Sequence, residues 1–421
     1  MVVIKGLANM GTVSSVVPFP VQKAFFRFAS GSLKYIGRAL QLVVRLPEVY
    51  AGPGSAMLLC DTLSGSGVKR LLLVTDSVLV ELGLIKPLIQ RLETGGVEVT
   101  IYDGVKPDPA VEQCEEALLA LKRGGGEALL AVGGGSVMDC AKIIAARATN
   151  NKKIEAMTGF FKISKAPLPV YCIPTTAGTG SEVSIGAVIS DPFKKKKQPI
   201  IDHKMVPIMV ALDGSLMTGL PPAVTAATGM DALTHAIEAY ISRIATPETD
   251  RMALESVRLI MRYLPQVMEN GDDLDARQMM SWAAYRAGLA FSRAGLGYVH
   301  GIAHSFGAHY HTPHGLANAI AIPYVLEYSA SACSERLAEL ARVSGLGNGA
   351  ESDEMLAEKF IDHIRSLKRK IGIPEKLDAI RVEDIPDLAR AALKEAHLTY
   401  AVPRYMNQSD CEALLMQMRG A

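Results

Sequence analysis

Three absences in the sequence exclude broad classes of protein. The chain has no imbalance of charge, since 44 Lys and Arg stand against 43 Asp and Glu among its 421 residues, and a nucleic-acid partner is therefore not expected. It has no run of about 18 uncharged apolar residues, which a membrane-spanning helix would need. Its six cysteines form no C-x-x-C pair, and their wide spacing predicts buried free thiols in a reducing compartment such as the cytoplasm.

The first 47 residues lack acidic side chains altogether. Within residues 21–45, basic and apolar residues alternate at roughly helical spacing. Three interpretations remain open for this basic amphipathic extension: a surface helix packed on the domain or on another subunit, a helix in peripheral contact with a membrane, and a transit-peptide-like leader. Its cations are Lys5, Lys23, Arg27, Lys34, Arg38 and Arg45, and the apolar residues between them include Phe25, Phe28, Tyr35, Ala39 and Leu42.

The pattern of apolar residues divides the remaining chain in two. From about residue 68, short apolar runs alternate with helical segments, which is typical of a parallel sheet wrapped by helices. After "GLPPAV" (219–224), long helices prevail, and Pro221 and Pro222 suit a first helical turn. We predict an α/β domain over 48–220 and an all-helical domain over 221–421. The predicted strands include 69–76, 97–104 and 168–176, and the predicted helices include 84–96, 110–126, 248–268, 276–292 and 351–371.

A glycine-rich turn follows one of the predicted strands. In "LLAVGGGSVMDCAKIIAA" (129–146), Gly133, Gly134 and Gly135 join the strand to an amphipathic helix and allow the backbone to approach a ligand closely. Ser136 and the free N–H groups of the first helical turn lie at the positive end of the helix dipole, where a phosphate fits. The motif is not G-x-G-x-x-G, so it is no dinucleotide fingerprint by itself. A tight turn that binds nothing is the alternative.

Polar residues also follow two other predicted strands. Asp76 is the last residue of "KRLLLVTD". An acidic residue at the carboxyl end of a strand can accept hydrogen bonds from a ribose diol. It would also repel a 2′-phosphate, and NAD would then be favoured over NADP. Thr175, Thr176 and Thr179 in "IPTTAGTGSEVS" offer hydroxyls to a phosphate or a ribose. Lys197 is the last residue of the run "KKKK", and a lysine side chain there could reach a phosphate or a hydroxyl of the cofactor. Ordinary turn chemistry, or a solvated surface in the case of the lysines, is the alternative at each position.

Residues 300–315 hold five of the nine histidines. His300 and His304 are four residues apart, as are Asp231 and His235 in "ATGMDALTHAIEAY", and this spacing places each pair on one helix face. His314 lies beyond a predicted chain reversal. A carboxylate and three imidazoles suit a divalent ion with a place left for a substrate oxygen. Spacing alone leaves open which histidines bind it, and each taken singly is equally a hydrogen-bonded structural residue.

Four segments together resemble the iron-dependent (group III) alcohol dehydrogenase family, whose fold includes dehydroquinate synthase. They are "VGGGSVMDCAK", "PTTAGTGSEVS", "PPAVTAATGMDALTHAIEAY" and "GLGYVHGIAHSFGAHYHTPHGLANAIAIPYVLEY". Their order and spacing match the family over roughly residues 48 to 400. The resemblance implies a parallel-sheet dinucleotide-binding domain followed by an all-α metal-binding domain.

The resemblance also implies a role for each motif residue. The metal ligands would be Asp231, His235, His300 and His314. His304 would be the non-ligand histidine beside the nicotinamide, a candidate for proton relay, and His309 and His311 match no ligand position. The cofactors implied are NAD and a divalent metal, iron first and zinc second. The cofactor contacts would be Asp76, Gly133, Gly134, Gly135, Ser136, Asp139, Thr175, Thr176, Thr179 and Lys197.

We therefore expect reversible hydride transfer between NAD(H) and a primary alcohol or aldehyde, with the metal as a Lewis acid on the substrate oxygen. The alternatives are an NAD- and metal-dependent lyase of the dehydroquinate synthase type and a scaffold built on an inactive enzyme. Asp108 stands where many relatives have Asn, and Gly186 is small where some have a larger residue. Gly186 and the apolar context favour aliphatic primary alcohols longer than ethanol. A homodimer or higher homo-oligomer is expected.

Overall fold

The computed structural model of the protein describes residues 18–24, 26, 27, 45–191 and 196–420. Its first half contains nine strands and its second half is helical. The strands are β1 (Glu48–Ala51), β2 (Arg70–Val74), β3 (Glu98–Tyr102), β4 (Ala128–Gly133), β5 (Gly159–Phe160), β6 (Val170–Pro174), β7 (Gly186–Asp191), β8 (Lys196–Ile201) and β9 (Met209–Leu212).

Six α-helices lie between the strands and eight follow them in residues 45–191 and 196–420. The first set is α1 (Ser55–Gly65), α2 (Ser77–Glu81), α3 (Lys86–Thr94), α4 (Val111–Arg123), α5 (Gly135–Thr149) and α6 (Ile154–Met157). The second set is α7 (Pro222–Ile241), α8 (Pro247–Glu269), α9 (Leu274–Ala294), α10 (Tyr298–Tyr310), α11 (His314–Val343), α12 (Asp353–Lys370), α13 (Ile385–Thr399) and α14 (Gln408–Met418).

The main sheet has six parallel strands in the order β1-β9-β6-β4-β2-β3. Successive residues of a strand point to opposite faces, and both faces here are covered by helices. In β2, Leu72 and Val74 join the core on one face, whereas Leu71 and Leu73 join the core on the other. This double burial explains why the central strands are continuous apolar runs. The predicted parallel sheet wrapped by helices is confirmed.

A small second sheet lies beside the first. β7 and β8 form an antiparallel pair, and β5 adds to β8 in parallel, in the order β5-β8-β7. β8 contains Lys197, so the end of the lysine run belongs to a strand. Residues 192–195, which include two of the lysines, are outside the described residues.

The helical half is organised around α7, which is buried on all sides. It packs against α8, α9 and α11, and Pro222 occupies its first turn as predicted. α10 ends at Tyr310, and the next residue, His311, has a φ of 56°, in the left-handed region that ends many helices. α11 then begins at His314. The predicted chain reversal between the two groups of histidines is confirmed.

The predicted helices agree with the observed ones to within a few residues. β1 and α1 were not anticipated, because β1 is a four-residue edge strand with half-exposed side chains and carries too short a pattern. The predicted boundary at residue 220 falls between β9 and α7. All six cysteines are buried and free, as expected.

Only a small part of the N-terminal extension is described. Residues 19–24 are helical, and the ring of Phe26 lies 4.6 Å from that of His397 and 5.6 Å from that of Tyr405, measured between centroids. These contacts agree with the interpretation of a surface helix packed on the domain. No described helix is both long enough and apolar enough to span a bilayer. Phe25, Phe28, Tyr35, Ala39 and Leu42 are outside the described residues.

The glycine turn after β4 is closely packed, and this gives a testable difference between two of its residues. A Cβ atom at Gly135 would lie 2.6 Å from Thr179 Cγ2, whereas a Cβ at Gly134 would meet its nearest atom, Thr176 Oγ1, at 3.4 Å. We expect Gly135→Ala to lower stability by about 1–3 kcal/mol through overpacking. Gly134→Ala is the matched control and should have the smaller effect. The measurement is the thermal unfolding midpoint of the two variants, and equal midpoints would contradict the packing argument.

Candidate metal and cofactor site

Three helices bring a carboxylate and three imidazoles to one place. Asp231 and His235 lie one turn apart on α7, His300 is on α10, and His314 is the first residue of α11. One ligand atom from each lies within 4.8 Å of the others. Asp231 Oδ1 is 3.4 Å from His314 Nε2 and 4.0 Å from Nε2 of both His235 and His300. The four residues that the family resemblance singled out are thus adjacent, and His304 is not among them.

Close contact between α7 and α11 makes this arrangement possible. A Cβ atom at Gly315 would lie 2.3 Å from the carbonyl oxygen of Ala227, so only glycine allows the two backbones to approach this closely. Gly315 follows His314 directly, and the approach sets the His314 imidazole beside Asp231. The glycine of "TPHG" therefore has a packing role in addition to its place in the turn.

A buried glutamate fixes the orientation of His300. Glu238 Oε2 lies 2.6 Å from His300 Nδ1, and Glu238 also accepts hydrogen bonds from the backbone N–H groups of Gly297 and Val299. Because Nδ1 is held by this carboxylate, Nε2 is the ring atom turned toward Asp231. Carboxylates that hold the far nitrogen of a metal-binding histidine are a common feature of such sites.

The electrostatics of the cluster suit a cation. Burial lowers the pKa values of His300 and His314 well below their ordinary value, so both rings are neutral and keep a lone pair available. Burial by itself would raise the pKa of Asp231, but the three neighbouring histidines and a hydrogen bond from Asn318 lower it. The result is an ionised carboxylate among imidazoles, a set of oxygen and nitrogen donors that fits iron or zinc.

The candidate cofactor residues gather at one edge of the sheet. β2, β4 and β6 are neighbours, so their carboxyl ends lie side by side and are followed by Asp76, the glycine turn and Thr175. The backbone N–H of Thr175 donates to Gly133 O, at 3.1 Å. Ser136, just inside α5, accepts a hydrogen bond from the N–H of Asp108. Ligands of open α/β sheets bind at this edge.

Both aspartates among the predicted cofactor contacts already have partners within the protein. Asp76 caps α2 by accepting a hydrogen bond from the N–H of Leu79, at 3.1 Å. Asp139 accepts from Ser181 Oγ at 2.6 Å and from the N–H of Val188 at 2.8 Å. The second arrangement ties α5 to the segment after Thr179, so Asp139 shapes the cofactor edge even though its two oxygens are engaged. Cofactor binding by either residue stays a prediction.

The segment 175–184 connects the cofactor edge to the metal cluster. Gly178 O lies 3.3 Å from His235 Nδ1, and Gly180 packs against α9, where a Cβ at Gly180 would be 2.6 Å from the Cα of Gly288. A carbonyl oxygen beside Nδ1 favours the tautomer that leaves Nε2 free for a cation. The glycine-rich loop that follows β6 is thereby fixed directly against α7, which carries Asp231 and His235, and against α9.

The buried side chain of Lys142 fixes the segment 175–184 by hydrogen bonds. Its side chain is fully buried, and Nζ donates to Ser181 Oγ, to both oxygens of Ser184 and to Gly186 O at 2.9–3.1 Å. Gly186 is therefore fixed by its carbonyl oxygen. A Cβ added at Gly186 would meet only Ile200 and Ile201 within 4 Å among the described residues. A preference for longer aliphatic alcohols stays a prediction.

Lys197 reaches the site rather than solvent. Its side chain is 12% exposed, and Nζ donates to Asp108 Oδ1 at 2.6 Å. A Cβ at Gly307 on α10 would lie 3.2 Å from Nζ, so the ammonium group is in contact with the helix that carries His300 and His304. Asp108 adds a negative charge to this contact.

His304 has a different partner from the four clustered residues. Its Nδ1 lies 2.7 Å from Glu395 Oε1 on α13, and Tyr400 OH donates to the same oxygen at 2.5 Å. The ring stacks on His314, with centroids 5.2 Å apart. Burial opposes protonation of His304, but Glu395 outweighs it and raises the pKa. His309 pairs instead with Asp384, at 3.3 Å.

Four residues that complete the site are not predicted from the sequence: the buried Glu238, Lys142 and Asn318, and the partly exposed Glu395. Glu238 and Asn318 had a usable signal, because they lie one turn after His235 and His314 and hence on the same helix faces. Glu395 had none, since it comes from a helix 91 residues away from His304 in the chain.

Comparison with known proteins identifies both halves of the chain. A family model described as "Iron-containing alcohol dehydrogenase" matches residues 47–214. A second, described as "Fe-containing alcohol dehydrogenase family, C-terminal", matches residues 225–418. The two matches lie on either side of the segment between β9 and α7.

Individual relatives match over most of their length. The NAD-dependent methanol dehydrogenase of Bacillus methanolicus is 37% identical over 371 residues, which cover 88% of this chain and 97% of the relative. The lactaldehyde reductase of Escherichia coli K12 is 38% identical over 348 residues, or 82% and 91%. The structure of an alcohol dehydrogenase from Oenococcus oeni has a TM-score of 0.86 and 32% identity, and the match covers 89% of this chain and 99% of that one.

The cluster of four predicts a specific dependence of metal content on Asp231. Removing the carboxylate of the cluster leaves three imidazoles without an anionic donor, and we expect Asp231→Ala to lose at least about ten-fold in metal affinity. His309→Ala is the matched control, since it removes an imidazole of the same histidine-rich segment that lies outside the cluster. Elemental analysis of both purified proteins after dialysis is the measurement. Full metal content in the Asp231 variant would exclude this set of ligands.

Proposed function

The chain belongs to the iron-containing alcohol dehydrogenase family, and we propose that it transfers hydride reversibly between NAD(H) and a primary alcohol or aldehyde in a metal-dependent reaction. The observation that carries the proposal is the contact between the two halves of the site. Gly178 O, in the loop at the cofactor edge, lies 3.3 Å from Nδ1 of His235 in the metal cluster. Both family models describe alcohol dehydrogenases rather than lyases.

We assign the metal to Asp231, His235, His300 and His314. A divalent cation held there supplies a Lewis acid for the substrate oxygen, and NAD supplies the hydride acceptor. The protein's contribution is to keep the donors fixed and dry: three of the four side chains are buried and His314 is partly exposed. Glu238 holds His300, and the loop carbonyl of Gly178 holds His235.

The cofactor is assigned to the edge formed by β2, β4 and β6. The free N–H groups at the start of α5, together with Gly133, Gly134, Gly135 and Ser136, are placed for a pyrophosphate. Thr175, Thr176 and Thr179 line the adjacent turn, and Asp139 supports that turn through Ser181. Asp76 at the end of β2 is suited to a ribose diol and disfavours a 2′-phosphate, which supports NAD over NADP.

His304 is assigned to the reaction rather than to metal binding. Its ring stacks on that of His314, and Glu395 holds its Nδ1. The other ring nitrogen is thereby the one available to a substrate or cofactor hydroxyl. Lys197 reaches the same helix and is placed to contact the cofactor.

The remaining proposals concern the identity of the metal, the assembly of the protein and its N-terminal extension. The metal is proposed to be iron, with zinc as a replacement, because a site of one carboxylate and three imidazoles has no feature that selects between them and its occupancy follows supply. We propose a cytoplasmic homodimer or higher homo-oligomer, with residues 48–220 binding NAD and residues 221–421 binding the metal.

The extension 1–47 is proposed to pack on the protein through Phe19 and Phe26, with peripheral membrane contact as its alternative role.

A spectrophotometric assay tests the proposed reaction. Purified protein, stripped of metal and then supplied with Fe²⁺, Zn²⁺ or no metal, is given NADH and a series of aldehydes, and NAD with the matching alcohols. We expect turnover of primary alcohols and aldehydes that depends on added metal. Absence of NADH oxidation with any aldehyde, in protein shown to contain metal, would overturn the proposal.

A second experiment separates the role of His304 from metal binding. We expect His304→Ala to retain its metal and to lose about 100-fold in kcat, as is typical for removal of a proton-transferring side chain. His309→Ala serves again as the control and should keep its activity. Metal content and kcat are measured on the same preparations. If His304→Ala turned over at the normal rate, its assignment to the reaction would be wrong.

A further inference from the structure

The amide of Asn318 lies among the metal residues and is the unexplained group of the site. Asn318 is fully buried on α11, one turn after His314. Its Nδ2 is 2.7 Å from Asp231 Oδ1, 3.2 Å from His314 Nε2 and 3.3 Å from His300 Nε2. Each of these three atoms is a ligand atom of the cluster. The amide nitrogen, with its two partly positive hydrogens, thus takes the place beside three lone pairs that a cation would take.

The other end of the same amide has no partner. No donor among the described residues reaches Asn318 Oδ1, although the atom is buried. A buried carbonyl without a hydrogen bond costs about 1–3 kcal/mol, and such groups are rare unless a function retains them. The amide is therefore satisfied on the side of the ligand atoms and unsatisfied on the other side.

The sign of the local field decides which end of the amide faces the cluster. Without a cation the cluster presents a carboxylate and lone pairs, which attract the N–H end and repel the carbonyl. A divalent ion reverses this field, because it is then the largest charge in the site. The N–H end becomes unfavourable there, and the carbonyl oxygen becomes a hard donor of the kind that iron and zinc accept.

We propose that Asn318 is a fifth side chain of the metal centre. Its amide group is in contact with three of the ligand atoms, and its carbonyl oxygen would be the atom that it presents to a bound cation. This inference rests on the proposed metal centre, and it assigns Asn318 the role of an additional oxygen donor.

Cobalt binding tests the proposal without any activity measurement. Metal-stripped full-length protein is titrated with Co²⁺ against a competing chelator, and the visible absorption of bound Co²⁺ is recorded, since its intensity and position change with the number and type of donors. The variants are Asn318→Leu, which keeps the shape without the amide, and Asn318→Asp, which keeps an oxygen. Ser329→Ala is the control, because Ser329 is also buried on α11 but lies outside the cluster.

We expect Asn318→Leu to bind Co²⁺ about ten- to a hundredfold more weakly than the wild type, with a spectrum altered by the loss of a donor. Asn318→Asp should retain the wild-type spectrum and at least the wild-type affinity, and Ser329→Ala should match the wild type. Unchanged or tighter binding by Asn318→Leu would overturn the proposal. So would weaker binding with an unchanged spectrum, since the amide would then only orient Asp231.

Two further outcomes can be distinguished from failure of the proposal for Asn318→Leu. If Asn318→Leu does not fold, Asn318→Asp decides, and weak binding or a changed spectrum in that variant counts against the proposal. If the wild type and Asp231→Ala bind Co²⁺ equally, the proposed metal centre itself fails.

Discussion

Everything in the site depends on placing several unshared electron pairs in one buried space. Asp231, His235, His300 and His314 contribute four ligand atoms within 4.8 Å of one another. Atoms of this kind repel each other, and burial removes the water that would separate them. Such a cluster persists only if something positive lies among its members. The amide N–H group of Asn318, which contacts Asp231 and His314, offers a partial positive charge there, and the proposed metal ion would offer a full one.

The fold forms this cluster by packing the helical half of the chain against the half that contains the parallel sheet. The parallel sheet ends three neighbouring strands at one edge, where short polar turns collect. The helical half approaches that edge with α7, α9, α10 and α11, and the loop 175–184 is fixed between them by Lys142 on one side and by Gly288 on the other. Close backbone contacts at Gly180 and Gly315 allow no side chain, so these glycines set the distance between cofactor and metal.

Much of this could be predicted from the sequence, because its signals are local. The alternation of apolar runs with helices gave the sheet, and the spacing of Asp231 and His235 placed both on one helix face. Spacing alone did not choose between His304 and His314, since that choice depends on how α10 and α11 pack. The resemblance to a family made the choice, and the structure brings together the same four residues.

The residues that were not predicted are those whose role depends on tertiary packing. Lys142 reads as an ordinary helical lysine in "CAKIIAA", yet its ammonium group is buried under the cofactor loop, where it donates to Ser181, Ser184 and Gly186. Glu395 lies 91 residues from His304 in the chain. No periodicity or motif links residues that far apart, so tertiary packing alone reveals them.

Two histidines on α10 make the same kind of contact but have pKa values shifted in opposite directions. His300 and His304 each present Nδ1 to a glutamate, at 2.6 and 2.7 Å. Burial lowers the pKa of His300 despite its contact with Glu238, whose own pKa burial raises to about 7. Glu238 also accepts hydrogen bonds from two backbone N–H groups.

Around His304 the balance is reversed. Burial would raise the pKa of Glu395, but His304 and Tyr400 lower it, and in return Glu395 raises the pKa of His304 against the effect of burial. The surroundings of each ring, and not the histidine itself, set the direction of its pKa shift. This difference supports the proposed division of the two histidines between metal binding and proton transfer.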